Sequence, residues 1–275
     1  MSNPRSVTPR QWGTLMLVTA AAGHATFATA QTTDHAQHQM GQMIVAQAAE
    51  GGEGGEGGEG GEGGAAVAAG SDATYLADLG FIEGHLRSGT TLYAQGNVDM
   101  ALTHMKHPKD EIYTALEPEL EERGQAGFAD ALATLATAVE NGAPVEEVDA
   151  TFADLLTQID AAKGETDARA QFDAMTILAR TAADEYAIGV KDGAIDNLHE
   201  YQDAWGFLQT VRGRAEALTG SDDAAVAKAA EAVIAALAET DGAFDTLTPQ
   251  GTVPGGSDLL YGAAARIELA ALGLK

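Results

Sequence analysis

From Ser71 onward, apolar residues recur at spacings of three and four, and nearly every such run is closed by glycine or proline. That pattern restricts the chain to helices. Aromatic residues make up only 5% of the sequence, so strands built on aromatic and β-branched pairs have little to draw on. Ser71-Asp72 caps a first helix that runs to about Gln95 and stops at Gly96. A second segment opens at Asn97-Val98. Pro108 is expected to interrupt it, because proline disfavours the α region for the residue before it, here His107. Pro108 then stands at the first position of a new helix, with Asp110 and Glu111 in its first turn. Pro118 starts a further turn, and Arg123-Gly124 closes the segment. Further helices are expected over about 125–141, 144–163, 166–191, 194–219, 221–247 and 257–273.

The two halves echo each other. Tyr93-Ala94, Gly96 and Asp99 correspond to Tyr186-Ala187, Gly193 and Asp196, and VDATFADL (148–155) corresponds to TDGAFDTL (240–247). The expected fold class is all-α. It comprises two packed four-helix-bundle-like units, residues 71–164 and 165–275, with an internal duplication suggested by these echoes.

Residues 1–30 read as a secretory signal peptide. Arg5 and Arg10 precede a short apolar core (12–22, WGTLMLVTAAA), and Ala28-Thr29-Ala30 offers a small-x-small cleavage site. The expected location is therefore the periplasm. No later run approaches the ~20 apolar residues of a membrane helix, so no membrane insertion of the mature chain is expected. Residues 31–70 form a leader and then a flexible linker, EGGEGGEGGEGGEGG over 50–64, whose glycines resist ordering and whose glutamates repel.

Cysteine is absent, which removes disulfides, thiolate metal sites and covalent haem attachment. Loss of Arg5 and Arg10 with the signal peptide takes the formal charge from −26 to −28. Such a chain repels nucleic-acid phosphates and attracts cations. The same acidity would serve a protein adapted to salty surroundings.

The residues that carry chemistry are histidines. On the first helix, Tyr75, Leu79, Ile82, Leu86 and Tyr93 form an apolar stripe that Phe81 and Leu92 widen, and His85 falls inside that arc, between those two and Gly89. It is either a core histidine bonded to a backbone carbonyl or a ligand. On the second segment, Val98, Leu102, Met105, Ile112, Leu116 and Leu120 mark the expected core face. Met100, His104, His107 and Glu111 form a stripe opposite to it. A continuous helix would aim that stripe away from His85, whereas a break at Pro108 would let His85, His104, His107 and Glu111 meet. Imidazoles with a carboxylate suit iron, copper, zinc or manganese, and Met100 adds a soft candidate. If they do not meet, the stripe is a polar face. Tyr93 and Tyr113 are expected to pack in the core.

A second set lies in the leader, where DHAQHQMGQM (34–43) combines His35 and His38 with Met40 and Met43, a mixture that suits copper. His199, with Asp203 one turn later, lies off the stripe of Leu198, Tyr201, Trp205 and Leu208, and reads as a surface pair.

ALTHMKHPKDEIYTALEPELEER (101–123) resembles a stretch of the imelysin-like and periplasmic iron-uptake lipoprotein families, through Gly96, Asp99, Ala101, Tyr113 and Glu117-Pro118. The second half resembles the acidic helical domains that accompany bacterial iron permeases, through Tyr186, Asp192-Gly193, Ile195 and Glu200-Tyr201. The imelysin motif G-x-H-x-x-E is not met, since Gly84 directly precedes His85 and Ser88 stands where glutamate is expected. The resemblance implies periplasmic acquisition of iron.

Residues and resemblance together predict a periplasmic metal-binding protein for uptake, delivery or storage, with iron preferred and copper or zinc as alternatives. Its partners would be the ion and an inner-membrane transporter. Two other classes stay open: a non-covalent haem protein with His85 as an axial ligand, and a structural or protein-interaction module without metal. No nucleophile–base motif, phosphate loop or dinucleotide fingerprint points to an enzyme.

Overall fold

In the computed structural model, which describes residues 70–274, Ser71 caps α1 (Asp72–Ala94) by accepting a bond from Thr74 N at 3.2 Å. Gly96, at φ +82°, closes the helix, with Gly96 N and Asn97 N bonding back to Tyr93 O and Leu92 O. The expected signal peptide, the leader candidates His35, His38, Met40 and Met43, and the Glu-Gly-Gly linker lie outside the described residues.

The next segment corrects the expected break. α2 (Val98–His107) continues through a π-helical turn (Pro108–Tyr113) into α3 (Thr114–Glu122), and His107 keeps helical angles of −53° and −52°. Proline has no N–H, and its ring crowds the carbonyl four residues back, that of His104. A wider π turn absorbs this conflict without ending the helix.

There follow α4 (Ala129–Glu140), α5 (Val145–Ala162), α6 (Ala168–Gly189), α7 (Leu198–Leu218), α8 (Ala224–Ala238), a 3₁₀ turn (Asp241–Ala243) and α9 (Ser257–Ala271). The fold class is all-α. A small departure lies between α6 and α7, where β1 (Val190–Lys191) and β2 (Ala194–Ile195) pair in a hairpin. Asp192 (φ 51°) and Gly193 (φ 77°) supply the two left-handed positions that a two-residue hairpin turn requires. No helix of the described residues is long and apolar enough to cross a membrane.

Among the described residues, two apolar clusters fill the interior. One gathers Leu79, Ile82, Met105, Leu120, Leu135 and Ile159 from α1 to α5, and the other gathers Phe172, Tyr186, Tyr201, Val233, Leu260 and Ile267 from α6 to α9. Between them run α1 and α7, which pack on each other and are buried around most of their circumference. Two glycines set how closely they cross. A Cβ on Gly206 would collide with Gly84 O and stand 2.5 Å from Ser88 Oγ. Ser88 Oγ instead donates to Gln202 O at 2.7 Å. Arg214 on α7 reaches Leu76 O at 2.7 Å and Glu83 Oε2 at 3.4 Å on α1, so the crossing is also tied by a buried ion pair.

Gly206→Ala is expected to force α1 and α7 apart and to lower stability by about 2–3 kcal/mol, measured by denaturant unfolding with m unchanged. Asp78, partly buried on α1, has its carboxyl pushed up to about 7, first by burial and then by the nearby charge of Glu119. The folded chain therefore holds a proton that the unfolded chain releases, and stability falls as pH rises from about 4 to about 7. Asp78→Asn should stabilise the protein at pH 8 by about 1–3 kcal/mol, with the gain vanishing near pH 4.

Candidate metal centre

Helix α7 is the centre of the site because Asp203 points from it into the α1–α7 contact with only 1% exposure. The hairpin fixes its first turn. Asp196 N bonds to Gly189 O at 2.8 Å, and Gly189 lets Tyr201 N approach to 2.6 Å of where a Cβ would stand. From α1, His85 Nδ1 reaches Asp203 Oδ1 at 2.7 Å. From α2, His104 Nδ1 stands 3.0 Å from the same oxygen. Gly89 makes this possible, since a Cβ there would lie 3.2 Å from the His104 Cβ and 2.7 Å from Met105 Cε. On the other side of the carboxylate, His199 Nδ1 stands 3.0 Å from Asp203 Oδ2.

Three imidazoles thus contact one carboxylate, and a fourth, that of His107, stands beside them. His104 and His199 stack in parallel at 4.4 Å, His107 lies 6.0 Å from His85 and 5.5 Å from His199 between centroids, and Phe207 meets the His85 ring edge-on at 5.1 Å. His85, His104 and Asp203 place one ligand atom each within 4.8 Å of the others, and so do His199, Glu200 and Asp203.

The tautomer of His104 can be read from its neighbours. Leu247 O can only accept, so the Gln202 nitrogen must be the atom that donates to it, at 2.9 Å. Gln202 Oε1 is then left to accept from His104 Nε2 at 2.9 Å. With its proton on Nε2, neutral His104 carries a lone pair on Nδ1. That atom is buried, makes no hydrogen bond, and faces a carboxylate oxygen. Two acceptors in contact repel unless a proton or a cation lies between them.

Electrostatics around the cluster follow from burial. Burial alone would raise the Asp203 carboxyl, but the positive charge that His85, His199 and His104 carry when protonated outweighs it and holds the group well below the usual carboxylate range. His107 is pushed down to about 4, by burial first and then by His85 and His199. Beyond Glu200, Glu185 is pushed up to about 10 by burial, by its hydrogen bond with Glu200 and by the surrounding acids.

The structure brings together His85, His104 and His107 without the break at Pro108. The expected core face holds at Met105, Leu116 and Leu120, which are buried, and at Leu102 and Ile112, which pack partly buried on the same cluster, but it fails at Val98 and omits His104. The buried residues of α2 are Ala101, His104 and Met105, while Val98 is 39% exposed. Met100 is not in the cluster; it is 36% exposed, and its Sδ faces Gln202 Nε2 at 3.5 Å. Glu111 belongs to the π turn, and its side chain lies outside the described residues. Tyr93 and Tyr113 serve the core, Tyr93 Oη donating to Ala143 O at 2.5 Å and Tyr113 Oη accepting from Phe128 N at 3.0 Å.

His199 and Asp203, expected at the surface, are a correction. Residues 199–203 read His-Glu-Tyr-Gln-Asp, and a histidine and an aspartate four apart share a helix face as ligand pairs do.

The sequence profile of the iron permease-associated 4-helix bundle domain matches residues 162–268, which take in α6, α7, α8 and most of α9. The match falls on the second-half resemblance and not on the imelysin-like one at 101–123. It includes His199, Glu200 and Asp203 and leaves out His85, His104 and His107. No curated protein and no solved structure matches the chain.

In the metal-free protein His107 should stay neutral from pH 8 to pH 5, and its imidazole NMR resonances should titrate only near pH 4. Because the unfolded chain takes up that proton at higher pH, the metal-free fold loses stability as pH falls from about 6.5 to about 4. His107→Gln should remove that part of the loss.

Proposed function

We propose that the chain binds iron at the centre formed by His85, His104 and Asp203, with His107 beside it, and that it works in iron uptake as an exported periplasmic protein. It delivers or stores the ion next to an inner-membrane iron permease. One observation carries this reading: the buried, non-hydrogen-bonded Nδ1 of His104, fixed as a lone-pair donor by Gln202 and aimed at Asp203 Oδ1. Two ligand atoms bound about 2.1 Å from one ion at right angles lie about 3.0 Å apart. The contact of His104 with Asp203, at 3.0 Å, has that spacing, and the hydrogen-bonded contact of His85, at 2.7 Å, is somewhat shorter.

Imidazole with carboxylate suits iron, and also zinc, copper and manganese. Similarity of residues 162–268 to an iron permease-associated domain favours iron among them and suggests the partner. The strong negative charge favours a cation as cargo. A bare ion fits better than haem, because His104, His107, His199 and Phe207 all stand within 6.5 Å of one another or of His85, where a macrocycle would need an open slot.

The test is anaerobic Fe(II) loading of the full chain, dialysis and elemental analysis. Iron should be retained in stoichiometric amount and lost in His104→Ala and in the near-isosteric Asp203→Asn. Gln202→Leu keeps every ligand but frees the His104 tautomer, and should weaken binding by about 10–100-fold. Failure to retain iron, or retention unchanged in both ligand variants, would overturn the proposal.

A further inference from the structure

The Asp203 carboxylate divides its two oxygens between two sets of ligands. Oδ1 faces His85 Nδ1 at 2.7 Å and His104 Nδ1 at 3.0 Å. Oδ2 faces His199 Nδ1 at 3.0 Å, is buried, and makes no hydrogen bond. His199, Glu200 and Asp203 place their ligand atoms within 4.8 Å of one another, a set that shares only Asp203 with the first.

Glu200 is itself buried, at 7% exposure. Its bond to the helix-capping Asn197 Nδ2 is long, at 3.3 Å, so capping alone is a weak reason to bury a carboxylate there. Glu185 on α6 brings a further carboxyl group to the same side.

We infer that the chain holds a pair of first-row divalent cations, the second bound by His199, Glu200 and the Oδ2 of Asp203, with the Asp203 carboxylate bridging the two ions. This rests on the proposed first site, since the bridge needs an ion on Oδ1 as well. One carboxylate spanning two cations, each of its oxygens on one ion, is the arrangement of two-metal sites with ions about 3.5–4 Å apart. The second set has one imidazole and oxygen donors, so it is the harder of the two and suits Fe(II) or Mn(II) better than Cu(I). His199 is 25% exposed while His85 and His104 are buried, so the second ion is the one nearer solvent. It is therefore the one to load last and leave first.

The full chain is loaded anaerobically with Fe(II) for stoichiometry, and separately with Mn(II) for electron paramagnetic resonance. Wild type should bind two ions and show an exchange-coupled Mn(II) pair. Exchange coupling, and not the ion count alone, identifies the pair. Glu200→Gln, with folding checked by circular dichroism, should lose one ion and all coupling, leaving an isolated Mn(II) spectrum. His199→Gln should do the same and guards against a folding defect peculiar to one variant. A single uncoupled ion in wild type, unchanged in Glu200→Gln, would overturn the pair and leave the first site standing. No bound ion in wild type would overturn the first site and the pair together.

Discussion

A carboxylate held at 1% exposure needs positive charge in contact with it, and Asp203 is the point from which the rest of the site is organised. Burying it alone would cost several kcal/mol. The chain answers with imidazoles from three helices, His85 from α1, His104 from α2 and His199 from α7 itself, each at 2.7–3.0 Å from one of its oxygens. Imidazole can provide that charge as a protonated ring or can bring a cation as a ligand. Gln202 weights the choice, because it claims the Nε2 proton of His104 and turns the lone pair of Nδ1 inward.

The same requirement explains the glycines. A helix interior gains nothing from glycine, which costs about 1 kcal/mol relative to alanine. Gly84, Gly89 and Gly206 nevertheless occupy α1 and α7, where a Cβ would strike the facing helix. They bring α1 within reach of α7, and α2 within reach of α1, so that short side chains meet at Asp203. The buried Glu83–Arg214 pair and the Ser88–Gln202 bond hold that crossing in register. The region matched by the iron permease-associated domain supplies Asp203 and His199, while His85, His104 and His107 come from the preceding helices. The proposed centre thus depends on both parts of the chain.

Much of the helical layout is legible in the sequence because it rests on local rules. Gly96, Gly124, Gly142 and Gly164 take positive φ at helix ends where their punctuation placed them. The burial of His85 was also legible, since its apolar arc is local to α1. The site was legible only in part. On periodicity alone His104 and His107 fall on an outer face, because apolar residues mark the interior, yet on α2 a histidine is itself part of the buried stripe, with Ala101 and Met105. The inward position of His199 and Asp203 is not legible for a related reason. Helix α7 is enclosed by α1 and α6 on different sides, so a single amphipathic stripe does not describe it. The π turn at Pro108 is not legible, because the choice between a break and a π turn depends on packing along the whole of α2 and α3.

The most direct measurement is crystallographic. Crystals of the full chain loaded anaerobically with Fe(II), with data collected at the iron absorption edge, should show an anomalous peak about 2.1 Å from both His104 Nδ1 and an oxygen of Asp203. A map without a peak among His85, His104 and Asp203, with these residues joined only by hydrogen bonds, would contradict the account.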